Sequence, residues 1–582
     1  MRAWANLNNG APTSTEHIAG HGARALPADI TSDWPTILGE SETQLWTTSV
    51  KEDPALVAGK VQNLRVACTY LNGTQVVGGT TFSFWKSIGR PSQRKGYVNG
   101  RELREGCMVA SVGGGLCQIS NALYCAALDG GLEIVERHAH SQIIPGSLSE
   151  IGRDATVYWN YVDLRFRHAL DFIIVTSLSH DALKVQIRAK ANVNRQATAQ
   201  PRSGWTGRPI AIHSDGAPGD CVACEQTQCV EKIEPSPSTW QTAFLLDEVW
   251  PEYDQWIAHQ ARPGDAVLVP LNGALRQRKN YNWTCLNTPG LRYREHRWLT
   301  LYRSLVSRLL PAQGGIRQQK LLAMNAMFAT AYARQLANNA RHLVLPITLL
   351  ADVWKLGALG GRSYDVLMTR APLQMLHQDL DHAAALHPQS TTLADFRASV
   401  DLVNAEDAAL RGAKSVVTPH SAVADYIAAN YGVPVQRLAW ECKTPMESPA
   451  QTAGTVLFPA SALGRKGAYE VREACRQLGL SVRVLGNAQD EPGFWHALSV
   501  SPATRHNLFQ DVACVVLPAF VEHRPGILLK AIERGIAVVC SQQCGLPPDM
   551  PNALTVNVGS VDELVDAIRT VVKPSPPCPL PV

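Results

Sequence analysis

The sequence predicts an α/β protein: a mixed α+β N-terminal domain followed by two doubly wound parallel α/β domains. Three observations lead there. The chain has 582 residues, too many for one hydrophobic core, so two or three domains are expected. From Thr239 onward, short apolar runs of strand type alternate with helical patterns, which is how a parallel sheet wrapped by helices reads. Before that point a triple glycine opens a helix, and strand-type alternation follows it.

Residues 1–50 are rich in Gly, Pro, Ser and Thr with little periodicity, and read as a loosely ordered leader. The first folded part, residues 51–190, is organised around Gly113-Gly114-Gly115-Leu116-Cys117-Gln118-Ile119-Ser120-Asn121-Ala122-Leu123-Tyr124. The glycines allow positive φ or close approach of backbone. Leu116, Ile119, Leu123 and Ala126 then recur at helical spacing, and Gly130-Gly131 supplies the stop. Cys117 falls in the first turn, where unpaired N–H groups and the helix dipole favour a thiolate, so it is a candidate nucleophile. Residues 132–141 read as a strand that carries Glu136, His138 and His140 on one side. A Cys–His pair oriented by a third group is the geometry of acyl-transfer or thiol chemistry. The plain alternative is a small buried Cys and two hydrogen-bonded strand histidines.

The run Lys60-Val61-Gln62-Asn63-Leu64, Leu71-Asn72-Gly73, Gly79-Thr80-Thr81-Phe82-Ser83-Phe84 and Gly96-Tyr97 leads into the glycine motif. Glu136-Arg137-His138, His140-Ser141, Asp154-Ala155-Thr156-Val157 and Asp163-Leu164-Arg165-Phe166 follow it. Together, over about residues 55–190, these resemble the VanW-like family, known from vancomycin-resistance gene clusters and many other bacterial proteins. The resemblance implies a cell-envelope context and names no reaction.

Residues 191–238 read as a linker that carries Cys221, Cys224 and Cys229. A CxxC pair with a third Cys nearby can chelate zinc or an iron–sulfur cluster, with Cys285 or His213 as a fourth ligand. Three reduced cysteines in a Gly/Pro-rich turn are the alternative. The 14 Cys, with no apolar core of a secretory signal in Met1-Arg2-Ala3-Trp4-Ala5-Asn6, argue for a reducing, cytoplasmic location. No run approaches the ~20 apolar residues of a spanning helix, which leaves peripheral membrane contact open. A formal charge of +4 gives no argument for a nucleic-acid partner. The 14 Trp could stack on sugars, although core and edge positions account for most Trp in proteins.

The two parallel domains are expected over residues 239–412 and 413–573, before a Pro-rich tail at 574–582. In the first, residues 244–246, 266–270, 342–346 and 364–368 are strand candidates and 319–340 a long helix. In the second, strands are expected at 414–418, 455–459, 481–486, 514–518 and 537–540. Its helices are expected at 422–430, capped by Ser421, and at 468–478, 526–534 and 561–571.

Open α/β sheets bind ligands at the carboxyl ends of strands. Three loops qualify: Pro419-His420-Ser421, the stretch from Ser461 through Gly464-Arg465-Lys466-Gly467, and Glu522-His523-Arg524-Pro525-Gly526. Arg465 and Lys466 before a helix make a plausible diphosphate cradle. Taken singly, each loop is equally a solvated turn with capping residues.

Val417-Thr418-Pro419-His420-Ser421 with Tyr431-Gly432-Val433-Pro434, the 458–467 stretch and the 522–535 stretch together resemble a retaining glycosyltransferase of the GT-B type, close to its large group-four family. That resemblance is good over about residues 405–575 and general over 240–405. It implies two Rossmann-like domains and a hexosyltransferase activity with a nucleotide-sugar donor and a glycan or metabolite acceptor. It places Lys466 at the diphosphate, Glu522 near the donor sugar, and Ser461, Arg465, Gly526 and Lys530 in the donor-binding loops. Two positions depart from the family. Ser461 stands where it has Arg, and Lys530 where its second Glu holds the ribose. Altered donor recognition, an anionic ligand, or a degenerate scaffold are the readings these departures leave. The family's first-domain catalytic His is not assignable here, with His377 and His382 both present.

Overall fold

The computed structural model describes residues 32–46, 53–104, 107–140, 152–190, 240–275, 278–311, 314–394, 397–442, 454–496, 498–504 and 506–572. Cys221, Cys224, Cys229 and the Pro-rich tail lie outside the described residues, so the metal site expected at the three cysteines is not carried further. Among the described residues no group of three or more His, Cys, Asp or Glu is placed to hold a metal ion. Nor, among those residues, is any helix long and apolar enough to cross a membrane. The described residues up to 190 form one compact unit, and nearly all of those from 240 onward form a second.

In the first unit the helix Pro54–Leu71 starts where Asp53 accepts a hydrogen bond from the Ala55 amide and Pro54 occupies the first turn. Its apolar residues meet those of the helix Cys117–Asp129, where Leu116, Ile119, Leu123 and Ala126 are all buried as their spacing predicts. A four-stranded antiparallel sheet packs with them, in the order Thr36–Gln44, Ala182–Ala189, Phe172–Leu178, Thr74–Val76. Residues 36–44, expected in a loose leader, are thus the edge strand of this sheet. The stabilising partner lies about 145 residues downstream, and the strand's polar outer side gives it little apolar pattern of its own. The strand expected over 132–141 is shorter, Glu133–Glu136. Beyond it only His138 pairs, in a single bridge to Thr156.

The second unit holds two wholly parallel sheets. The first has seven strands in the order Arg292–Glu295, Ala266–Val269, Gln241–Leu245, Ala340–Pro346, Ser363–Leu367, Ser415–Thr418, Val435–Arg437. The second has six, in the order Val500–Pro502, Ser481–Val484, Thr455–Phe458, Cys514–Leu517, Ala537–Ser541, Ala553–Val556. Counted along the chain, the first runs 3-2-1-4-5-6-7 and the second 3-2-1-4-5-6, so both follow the Rossmann order and the unit carries the two expected Rossmann-like sheets. Their central strands are buried on both faces, as parallel strands under helices must be.

The strand Ser415–Thr418, expected to open the second parallel domain, is hydrogen-bonded to Ser363–Leu367 and belongs to the first sheet. The helix Val400–Arg411 ends three residues before it, which delivers the chain straight back to the neighbouring strand. The next helix, Ser421–Asn430, is capped by His420 rather than Ser421. The His420 Nδ1 accepts the Val423 amide, and the Ser421 hydroxyl donates to the Leu546 carbonyl. At the last helix among the described residues, Val561–Val571, Ser560 accepts the Glu563 amide in a capping arrangement.

Candidate functional sites

In each Rossmann-like sheet the strand order reverses between the first and fourth strands, and that crevice is where such sheets take ligands. In the second sheet it lies between Thr455–Phe458 and Cys514–Leu517. The loops leaving these strands bring Lys466 and Glu522 together: the Lys466 Nζ lies 2.9 Å from Glu522 Oε2 and donates to the Val521 carbonyl at 2.8 Å. Both side chains are mostly covered, at 19% and 18% exposed. Glu522 Oε1 accepts the amides of His523 and Arg524 at 3.0 and 3.1 Å. Burial alone would raise the Glu522 pKa, but the Lys466 cation and these donors hold it below the usual carboxylate value. The carboxylate is therefore ionised and fixed.

The two loops are stitched together by backbone. The Arg465 carbonyl accepts the amides of Phe520 and Val521 at 3.0 and 3.2 Å, so this residue positions the pair through its main chain. Gly467, at φ +74°, is required just after: a Cβ there would overlap the Pro518 carbonyl. Ser461 is half-buried, with its hydroxyl against Gly486. Gly526 opens the helix Gly526–Ile532 with free space on its Cβ side, and Lys530 is solvent-exposed one helical turn further. His420 is buried behind the site, its Nε2 donating to the Glu522 carbonyl at 3.0 Å while Nδ1 caps its helix. Those two bonds fix the neutral tautomer. The same loop, with Arg437, Trp440, Cys442 and Asp549, lines a cavity of ≈ 590 Å³. His377 accepts the Ala398 amide, and His382 packs edge-on against Phe520. Neither contacts Lys466 or Glu522 among the described interactions.

This neighbourhood makes the second unit acid-sensitive. Burial, reinforced by the Lys466 cation, pushes the His523 pKa down to about 3 from 6.5. Burial also lowers that of His420. Folded, both rings stay neutral where an unfolded chain would take up protons, so stability is full above pH ~6.5 and is lost as pH falls toward 3. The depressed Glu522 carboxyl works in the same direction below pH ~4.5. Urea midpoints measured from pH 7 to 4 should fall, and His523→Gln should flatten the upper part of that curve. A midpoint independent of pH over that range would contradict this arrangement.

The first unit carries its own cluster. Gly113 and Gly115 take φ of +87° and +92°, and Gly114 passes so close that a Cβ would overlap the Gly100 carbonyl. Asn63 locks the turn, donating to the Gly114 and Val98 carbonyls at 2.9 and 3.0 Å. Cys117 emerges half-buried at the start of its helix, with Sγ 3.6 Å from Thr156 Oγ1 and 4.0 Å from the Val157 carbonyl. Of the two candidate histidines it is His140 that lowers the thiol's pKa, and it is held by Asp154, two residues before the Thr156 that meets the sulfur. His138 instead turns to Glu136 at 3.4 Å and is 50% exposed, because the strand ends before the alternation reaches it.

His140 Nδ1 meets Asp154 Oδ2 at 2.9 Å, and the same oxygen accepts the His140 amide at 2.7 Å. Arg137 holds the other oxygen at 2.8 Å and the Asp154 carbonyl at 2.7 Å. The Asp154 side chain is only 3% exposed. The polar residues after Cys117 support the segment that carries Asp154. Asn121 accepts the Ala155 amide at 2.7 Å, Ser120 donates to the Ala155 carbonyl, and the Tyr124 ring lies under the Arg137 guanidinium at 5.2 Å. The Asp154 hydrogen bond, then the Cys117 contact, raises the His140 pKa to about 9. Burial pushes the Cys117 thiol up, but His140 outweighs it and brings the pKa below the ordinary thiol value. Sequence reasoning had Asp154 in view as part of a motif without a role. Only the fold shows that it is the carboxylate behind the imidazole.

Residues 59–189 match the family model described as VanW like protein. The Vancomycin B-type resistance protein VanW of Enterococcus faecalis (strain ATCC 700802 / V583) is 32% identical over 140 residues, 24% of this chain and 51% of that protein. The uncharacterized protein YoaR of Bacillus subtilis (strain 168) is 30% identical over 138 residues, 22% of this chain and 45% of that protein. The chain spans about half the length of these curated relatives. Among solved structures, the lipopolysaccharide outer core galactosyltransferase WaaB in its apo form aligns with 57% of this chain and 90% of its own, at 13% identity and a TM-score of 0.34. Anabaena Alr3699/HepE in complex with UDP and glucose covers 57% and 89%, at 13% identity and a TM-score of 0.34.

Proposed function

We propose that residues 240–572 transfer a sugar from a nucleotide-sugar donor to a glycan or metabolite acceptor, as a retaining hexosyltransferase. The appended VanW-like domain suggests an acceptor connected with the cell envelope. The observation that supports this reading most is the Lys466–Glu522 pair at the switch point of a 3-2-1-4-5-6 sheet.

When a nucleotide sugar loses its sugar, negative charge grows on the departing diphosphate. A fixed, poorly hydrated ammonium stabilises that charge more than it stabilises the intact donor, which is what accelerates the step. In this reading Lys466 supplies that ammonium. Glu522, ionised and held by two amides, can accept hydrogen bonds from donor-sugar hydroxyls, and without donor it keeps Lys466 in position. Lys530 cannot do the work of a ribose-binding carboxylate, because an ammonium accepts no hydrogen bond. The ribose is therefore held by other groups, or the donor carries an additional anion that Lys530 meets.

The test is release of nucleoside diphosphate from a panel of nucleotide sugars, without and then with envelope glycans. One donor should be turned over above the buffer rate, and Glu522→Gln should reduce that rate by about two orders of magnitude. Release at the buffer rate for every donor would sink the proposal.

A further inference from the structure

The first unit carries a second arrangement of reactive groups, independent of the transferase reading. Cys117 stands at the first turn of the helix Cys117–Asp129 and is half-buried. Its sulfur lies against Thr156 and Val157, and Asp154, two residues before Thr156, holds His140, which brings the imidazole to the thiol's side. Asp154 holds the imidazole by Nδ1 at 2.9 Å, which leaves Nε2 for the thiol. Arg137 anchors Asp154 at 2.8 Å and keeps this 3%-exposed carboxylate in place. The three groups come from separate segments of the chain, Cys117 from the start of a helix and His140 and Asp154 from irregular stretches, so the constellation is a product of the fold and not of local sequence.

We infer that Cys117, His140 and Asp154 form a nucleophile–base–orienter triad for acyl transfer, acting on a carboxylic ester or amide through a thioester on Cys117. Cys117 first gives its proton to His140 Nε2, forming thiolate and imidazolium. The sulfur attacks the carbonyl carbon, forming the S–C bond and an oxyanion. As the oxyanion collapses, the bond to the alcohol or amine breaks and imidazolium gives that leaving group its proton. Water or an amine then attacks the thioester, neutral His140 takes the proton from it, and the thiolate departs. Atoms and charge balance with no oxidant or further reactant. Val157, whose carbonyl lies near the sulfur, leads directly into the exposed rings Tyr158, Trp159 and Tyr161, of which Trp159 is braced edge-on against Trp85 at 5.5 Å. These favour a substrate with a flat apolar face.

The full chain should be treated with iodoacetamide at pH 6 and, separately, with p-nitrophenyl acetate, and the cysteines mapped by mass spectrometry. A free thiol of pKa ~8.5 is only a few tenths of a percent thiolate at pH 6. Cys117 should be alkylated first, at least ~10-fold faster than in His140→Ala, and should carry an acetyl group released by hydroxylamine. Asp154→Asn should move the alkylation pH profile toward that of an ordinary thiol, a change that mere loss of packing would not produce. Cys117→Ser, which keeps the size and the helix, should carry no hydroxylamine-labile acetyl there. Alkylation of Cys117 only after unfolding, an unchanged pH profile in His140→Ala, or fast alkylation with no acyl adduct would each overturn the triad.

Discussion

For the proposed sugar transfer, Lys466→Ala is expected to lower the rate by about two to three orders of magnitude, the usual cost of removing one fixed group that stabilises developing negative charge. The Lys466 side chain is 19% exposed, and its ammonium is held by the Glu522 carboxylate and the Val521 carbonyl in the crevice between the first and fourth strands of the second sheet. No other cation among the described residues bonds to Glu522 at this place. Folding should be affected far less, because the backbone hydrogen bonds from Phe520 and Val521 to the Arg465 carbonyl keep the two loops together without the side chain. Donor turnover and thermal unfolding measured on the same variant separate the two effects. A variant that transfers sugar at the normal rate would remove Lys466 from the chemistry.

Glu406→Ala destabilises the second unit by about 3–5 kcal/mol, the range for stripping one partner from a buried ion pair. Glu406 is 1% exposed and grips Arg370 with both oxygens, one of them at 3.1 Å, while accepting the Leu373 amide at 2.6 Å. It thus satisfies the start of the helix Leu373–Leu386 and neutralises a cation that is itself mostly covered. Removal leaves the Arg370 charge and an amide without their partner. Urea unfolding measures the loss, and Glu406→Gln, which keeps a hydrogen-bonding oxygen, should recover part of it. A loss below ~1 kcal/mol would mean that water replaces the carboxylate at no cost.

The sequence was most legible where one element carries its own signal. The helices Ala468–Leu478 and Val561–Val571 follow from apolar periodicity ended by Gly or begun by Ser560. The apolar face of the Cys117 helix follows from spacing alone. Lys466 and Glu522 could be singled out because each lies in the loop between a buried strand and a helix. What pattern cannot supply is pairing over distance. Glu406 and Arg370 are 36 residues apart, and nothing local marks them as partners. Alternation put His138 and His140 on one side, yet the strand ends at Glu136, and Asp154 selects His140. Residues 36–44 look unstructured until the strand Ala182–Ala189 is beside them. The strand Ser415–Thr418 looks the same in either sheet, and the short connection from the preceding helix decides.

The most direct test of a donor site at Lys466 and Glu522 is thermal unfolding of the full chain against nucleoside diphosphates and nucleotide sugars, with Lys466→Ala alongside. One nucleotide at 100 times its Kd should stabilise the wild-type protein by ~2.7 kcal/mol, and the variant should lose most of that gain. No shift with any nucleotide in folded protein, or an equal shift in Lys466→Ala, would contradict it.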